Sequence, residues 1–337
     1  MTKLLLPLCL LLGLIGRVDA QPDVARPDVA QPDVARPDAV PQAEIASDLI
    51  KAKLYLPDEQ QGYYRGTRFD WSGLIASLEH KGHSYFGKWF GPYDPKIHDA
   101  VSGPVEEFGA IGYESAKPGE TFLKIGVGVL RRIDEKAYHF ASPYELVNPG
   151  KWTVNPAADR VEFAHYLTDQ DGHSYIYRKT VRLVKGKPEL LLEHSLENTG
   201  SRVLETNVYD HNFFMLDNQP TGPDFVVKFP FTLRATTPKE GLLETRDKQL
   251  VYLRPQQKGD AVYTLLEGFG STAKDYDIRV ENTRTKAGVR VTGDRPLSKL
   301  AFWSNPANLS PEPYIGVRVE PGKTFTWTLT YQFYTLP

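Results

Sequence analysis

Thr206-Asn207-Val208-Tyr209-Asp210-His211-Asn212-Phe213-Phe214-Met215-Leu216 closes a run of alternating residues and sets His211 between an aspartate and an asparagine, among aromatics. Residues 202–209 read as a strand. Its period of two puts Asn207, Tyr209 and His211 on one face and Val208 and Asp210 on the other. Asn207, Asp210 and Asn212 are polar within what otherwise reads as buried sheet, and buried polar groups need partners. Histidine titrates nearest neutral pH, so His211 is the leading candidate for proton transfer. The plainer alternative is a histidine that packs in a core or faces solvent.

Working outward, the same period governs the neighbouring segments. Residues 161–168 alternate, Gly172 turns the chain into a strand over 175–184, Lys185-Gly186-Lys187-Pro188 turns it into 189–197, and Asn198-Thr199-Gly200-Ser201 leads into the strand that delivers His211. Further strands are expected at 64–71, 74–80, 83–86, 122–131, 225–229, 231–236, 249–254, 261–267, 276–282, 287–292, 297–303, 314–319 and 324–335. A short helix is expected over 43–53. No helix longer than about ten residues is supported by apolar period. Residues 87–121 are aromatic and rich in Gly and Pro without period, and so long a loop in a compact domain usually packs over a site. The fold class that follows is all-β, a large sandwich of antiparallel sheets.

The chain has 337 residues, 41% hydrophobic and 12% aromatic, which is enough for one large β core. Its net charge is −2, and it has no basic cluster, which argues against a nucleic-acid partner. Residues 1–20 read as an export signal: Lys3, an apolar run over 4–15, and Val18-Asp19-Ala20 as the cleavage site. The run is too short to span a membrane. Secretion or periplasmic location is expected, and cleavage removes Cys9, the only cysteine. Residues 21–42 repeat QPDVA and RPDVA, a proline-rich linker expected to be disordered, which leaves 43–337 as the domain. His80 and His83 flank a turn without a third ligand nearby, so no metal is expected. Gly-x-Ser-x-Gly is absent, which removes the usual serine-hydrolase cue.

Three stretches resemble the aldose 1-epimerases (galactose mutarotases). Arg68-Phe69-Asp70-Trp71-Ser72-Gly73-Leu74-Ile75-Ala76-Ser77-Leu78 looks like that family's opening hairpin, with its Gly-x-x-Ile-x-Ser-Leu pattern. Asp210-His211-Asn212-Phe213-Phe214-Met215-Leu216 is similar to Asn-His-x-Tyr-Phe-Asn-Leu. Val319-Glu320-Pro321-Gly322-Lys323-Thr324-Phe325, followed by Tyr331-Gln332-Phe333, looks like the closing Leu-x-Pro-Gly-Glu-x-Tyr and Tyr-x-Phe. The resemblance implies a β-supersandwich, a carbohydrate substrate, no cofactor, and His211 as the proton donor to the sugar ring oxygen. Where the family has Gly-Arg-x-x-Asn-Arg, this chain has Gly103-Pro104-Val105-Glu106-Glu107-Phe108-Gly109. Where the family's catalytic glutamate sits, Phe302-Trp303-Ser304-Asn305-Pro306 carries no acid, and Glu312 is the nearest carboxylate.

Interconverting sugar anomers needs one group to protonate the ring oxygen while another takes the anomeric hydroxyl proton. His211 as acid and Glu312 as base are the expected pair, with Glu106 or Glu107 in reserve. Solvated acids are the plainer reading of all three carboxylates. Aromatic faces and planar donors suit a sugar, which makes Arg68, Trp89, Asn207, Tyr209, Phe213 and Trp303 candidate binding residues, although each type is more often core or rim. A non-catalytic carbohydrate-binding sandwich, and a polysaccharide lyase or hydrolase on a related sandwich, are the alternatives. A carboxylate facing His211 across a cavity favours the epimerase, and a Tyr/His/Arg cluster in a long groove favours a lyase.

Overall fold

The computed structural model describes residues 40–169 and 171–337. The expected export signal and most of the linker lie outside the described residues. The linker's last residues do not: Val40 is buried, and Leu56 N donates to Pro41 O at 2.9 Å, so the fold begins by residue 40.

In chain order, β1 (Gln42–Ala46), β2 (Lys51–Tyr55), β3 (Leu74–His80) and β4 (His83–Ser84) form a four-stranded sheet. β5 (Val105–Phe108) follows, then β6 (Thr121–Lys124), β7 (Gly128–Arg131) and β8 (Glu145–Asn148), a three-stranded sheet. Next come β9 (Lys151–Pro156), β10 (Arg160–Leu167), β11 (Tyr175–Leu183), β12 (Glu189–Asn198), β13 (Leu204–His211), β14 (Phe225–Lys228), β15 (Arg234–Ala235), β16 (Leu243–Arg246) and β17 (Gln249–Tyr252). The last are β18 (Val262–Glu267), β19 (Asp277–Asn282), β20 (Ala287–Gly293), β21 (Lys299–Ser304), β22 (Leu309–Val319) and β23 (Thr324–Thr335).

Two large antiparallel sheets make the sandwich: ten strands in the order β16-β17-β14-β19-β20-β23-β12-β11-β10-β9, and six in the order β15-β18-β21-β22-β13-β5. Alternation decides which side each strand buries. On β12, Leu190, Leu192 and Leu196 point inward. They join Trp327, Leu329, Tyr331 and Phe333 of β23 and meet Val208, Ile315, Val317 and Phe302 from the smaller sheet. The outward face of the six-stranded sheet is left free to carry the site.

Three expectations are corrected. Residues 43–53 form the β1–β2 hairpin, not a helix: Ile45 pairs with Ala52, and the Ser47 Oγ accepts the Leu49 and Ile50 amides at 3.2 and 3.1 Å, closing the turn. Pairing of β2 with β3 overrides the helix propensity of Ala and Lys. Residues 64–71 form no strand. Their amides bond to separate elements, Asp70 N to Glu106 O at 2.9 Å and Trp71 N to Gly126 O at 3.1 Å, so the segment is a buried irregular arm. Residues 122–131 are not one strand but the hairpin β6–β7, reversed at Gly126 (φ 75°). A Cβ there would sit 2.5 Å from the Asp70 carboxylate, so glycine is required by both conformation and space.

Candidate functional site

Five strands of the six-stranded sheet put their outward residues around one cavity of about 420 Å³. Tyr209 of β13 pairs with Glu107 of β5 on one side and Tyr314 of β22 on the other. Ala301 of β21 pairs with Glu312, and Trp303 pairs with Tyr263 of β18. Asn207, Tyr209 and His211 line the cavity together, as alternation along β13 requires. Val208 and Asp210 face the interior. The irregular arm supplies Arg68, and the loop before β8 supplies Tyr138, His139 and Phe140.

Of the residues expected in the site, Arg68, Glu107, Asn207, Tyr209, His211, Trp303 and Glu312 line the cavity. Glu106 does not. It follows Val105 and precedes Glu107 on β5, so it points to the opposite face, where its carboxylate meets Lys179 and, at 2.7 Å, His194 Nε2. Trp89 and Phe213 also lie off the cavity. Phe213 takes φ 44°, which breaks β13 and folds its ring onto the imidazole of His211 at 3.6 Å and 10°. Trp89 stacks behind Phe213 at 5.2 Å and donates Nε1–H to Val101 O. They fix the histidine ring from behind.

One wall is a tight ionic network. Arg68 donates from Nε to Glu107 Oε2 at 2.7 Å, from Nη2 to the Tyr209 hydroxyl at 3.0 Å, and from Nη1 to Asp99 Oδ1. Tyr209 donates on to Glu107 Oε2 at 2.6 Å, and the buried Lys124 ammonium reaches Glu107 Oε1 at 3.3 Å and Tyr138 Oη at 2.8 Å. Burial works against a charged Glu107, but Lys124 and Arg68 outweigh it and hold the carboxyl at about 2. Glu107 is therefore a fixed anion with its lone pairs engaged, a poor base.

The other feature is the contact between His211 and Glu312. Nε2 and Oε1 lie 3.2 Å apart. Burial, reinforced by the Arg68 charge, keeps the imidazole well below its usual 6.5, and Nδ1 has no hydrogen-bond partner. Burial pushes Glu312 from 4.5 to about 8, with Arg68 pulling down and Glu107 pushing up. Both shifts favour the uncharged forms, so near neutral pH the pair carries one proton and presents one donor and one acceptor to the cavity.

Several lining residues escaped sequence reasoning: Asp99, Tyr138, His139, Phe140, Tyr263, Lys299 and Tyr314. Tyr314 was reachable, since it lies two residues from Glu312 on one strand face. Asp99 and the 138–140 segment sit in aperiodic loops and leave no local signal. Lys299 holds its ammonium 3.7 Å over the Tyr314 ring. Among the described residues no group of three or more His, Cys, Asp or Glu is placed to hold a metal. His80 instead bonds Leu49 O and His83 bonds Asp217.

No family model matches the chain, and no curated protein does. Solved structures do match in fold. The GalM/aldose epimerase homologue from C. elegans is 13% identical with a TM-score of 0.55, over 89% of this chain and 100% of that one. A galactose mutarotase-like protein from Clostridium acetobutylicum is 14% identical with a TM-score of 0.55, over 88% and 95%. A galactose mutarotase related enzyme from Lactobacillus acidophilus is 14% identical with a TM-score of 0.51, over 87% and 97%. The chain has the galactose mutarotase-like β-sandwich fold.

Proposed function

We propose that the protein is an exported enzyme of the aldose 1-epimerase type that interconverts the anomers of a free sugar. The observation that carries this reading is the His211–Glu312 pair, one acceptor and one donor in contact at the floor of a cavity walled by aromatics and hydrogen-bonding groups. Ring opening uses both at once. Glu312 gives its proton to the ring oxygen as His211 Nε2 takes the proton of the anomeric hydroxyl; the C1–C2 bond turns; ring closure runs the transfers backward. Tyr209, Asn207 and Trp303 offer the hydroxyl, amide and ring face that hold a pyranose. The alternative lyase chemistry needs a free cation for a uronate carboxylate. Arg68 does lie with Tyr209 and His211, but Glu107 and Asp99 already neutralise it, which leaves Lys299, held over the Tyr314 ring, as the cation that reading would use.

The experiment is anomer exchange on a panel of free sugars, followed by polarimetry or NMR. Exchange should rise in proportion to protein added. Binding without acceleration would put the protein with non-catalytic carbohydrate-binding sandwiches.

The productive form holds one proton between two groups. Activity should therefore stay flat across neutral pH, fall above about 8 as Glu312 ionises, and fall on the acid side only well below 6.5, where His211 also binds a proton. The reverse placement of the proton contains the same number of protons, so the profile locates the pair without apportioning it. A narrow optimum between the unperturbed 4.5 and 6.5 would show that burial does not shift these groups.

Export rests on residues 1–20. Mass spectrometry of protein recovered from the producing cell should find Gln21 at the mature terminus. A chain that retains Met1 overturns the export reading and leaves the enzymatic one intact.

A further inference from the structure

A second cavity of about 810 Å³, larger than the first, opens beside the site. Three chain segments separate them, and each faces both. Arg68, Asp99 and Phe140 line the His211–Glu312 cavity, while their chain neighbours Thr67, His98 and Ala141 line the larger one. Phe140 stands at the boundary. It is 36% exposed, with its ring 4.0 Å from the Arg68 guanidinium carbon and 5.4 Å from the His98 ring.

The larger cavity has the mixed lining that a carbohydrate needs. Trp71, Tyr144 and Leu146 give apolar surface, and Ser142 gives a hydroxyl. Arg65 and Lys96 stand against Glu59 and Glu145, so no single sign of charge dominates and a polyanion is not selected. Arg65 lines the cavity and reaches Gln60 O with Nη1 at 2.8 Å.

Anomer interconversion requires a free anomeric carbon, so any further sugar must hang from another hydroxyl of the reacting ring. We infer that the natural substrate is an oligosaccharide: its reducing residue occupies the His211–Glu312 cavity, and the following residues cross the exposed Phe140 ring into the cavity lined by Arg65, Trp71 and Ser142. This rests on the epimerase reading of the site and extends it. The exposed edge of Phe140, whose ring carries Arg68 and stacks on His139 at 4.8 Å, borders the second ring, and the larger cavity holds the third.

The probes are glucose, maltose and maltotriose, and galactose with its β-1,4-linked di- and trisaccharides. For at least one series, kcat/KM for anomer exchange should rise by roughly tenfold from one residue to three, about the value of a stacked ring. Ser142→Trp, which fills the larger cavity, should lower the trisaccharide value by roughly tenfold more than the monosaccharide value. Arg65→Met, which leaves the cavity open, should lower the same ratio in the same direction. Equal kcat/KM for all lengths, or a ratio unmoved by both variants, overturns the extension. Binding of the same sugars to His211→Gln, read by ligand-observed NMR, keeps the test independent of turnover. If no sugar shows accelerated exchange, the epimerase reading falls, and tighter trisaccharide than monosaccharide binding still supports the extended cleft. Equal binding there overturns it.

Discussion

On the epimerase proposal, Glu312→Gln should lower the anomer-exchange rate by about 10²–10⁴-fold and leave sugar binding within a few-fold of the parent. The amide keeps the shape and polar edge of the carboxyl but carries no transferable proton. His211→Gln should lose a similar factor, because the amide cannot accept the anomeric proton. The double variant should be little worse than either single one, since ring opening needs both proton transfers at once and losing either stops it. Additive losses would mean that the residues act separately, and full activity in Glu312→Gln would remove it from the chemistry.

The same substitution reports on stability. Glu312 titrates near 8 in the fold and near 4.5 when the chain is unfolded, so the native state binds the extra proton between those values. Its contribution to stability is therefore lost as pH rises from about 4.5 to about 8 and levels off above. Glu312→Gln should flatten the fall of the melting temperature across that window.

How much of this was legible depended on whether a residue's environment is set by its own strand. The β11–β12 hairpin was, because Lys185-Gly186-Lys187-Pro188 marks the turn and β12 buries alternate residues along its whole length. The shared face of Asn207, Tyr209 and His211 was, for the same reason. β5 was not. Its sequence is Val-Glu-Glu-Phe, all buried, and adjacent acids read as surface until partners from β6, β11 and the 64–71 arm are known. The first half of β22 was missed because Pro311 and Pro313 argue against an interior strand. Both fall beyond Tyr314–Tyr209, the last pair that β22 makes with β13, so neither is required to donate across that seam. There Asn212 Nδ2 donates to Pro311 O at 2.7 Å in place of the ladder. His211 and Glu312 come together at the point where the two strands stop pairing, a meeting that depends on tertiary register and leaves no mark in either local sequence.

Lys179→Met should destabilise the fold by about 3–5 kcal/mol, because it leaves buried carboxylates without their cation. Lys179 of β11 is buried between the sheets, with its ammonium on Glu106 Oε2, 3.1 Å from Ser72 O and 3.8 Å from Asp70 Oδ2. Burial disfavours a charged Glu106, yet Lys179 and His194 hold it at about 2. Burial raises Asp70 to about 7, so it is only partly ionised at neutral pH, and Asp210 well above its usual range, so Asp210 keeps a proton that Glu106 does not. His194 is depressed by burial and brings no full charge at neutral pH. Removing the ammonium therefore strands the Glu106 anion. At about 2–4 °C per kcal/mol for a domain of this class, the melting temperature should fall by roughly 6–20 °C. Adding Glu106→Gln should recover much of the loss, because a neutral pair no longer needs the cation. The cluster lies on the inner face of β5 and the site on its outer face, where Glu107 meets Arg68. The pH dependence of catalysis should then keep its limbs in Lys179→Met measured well below its melting point. A melting temperature unchanged by Lys179→Met would mean that Glu106 takes up a proton as readily as Asp70, and that the buried charge does not hold β5 in the sheet.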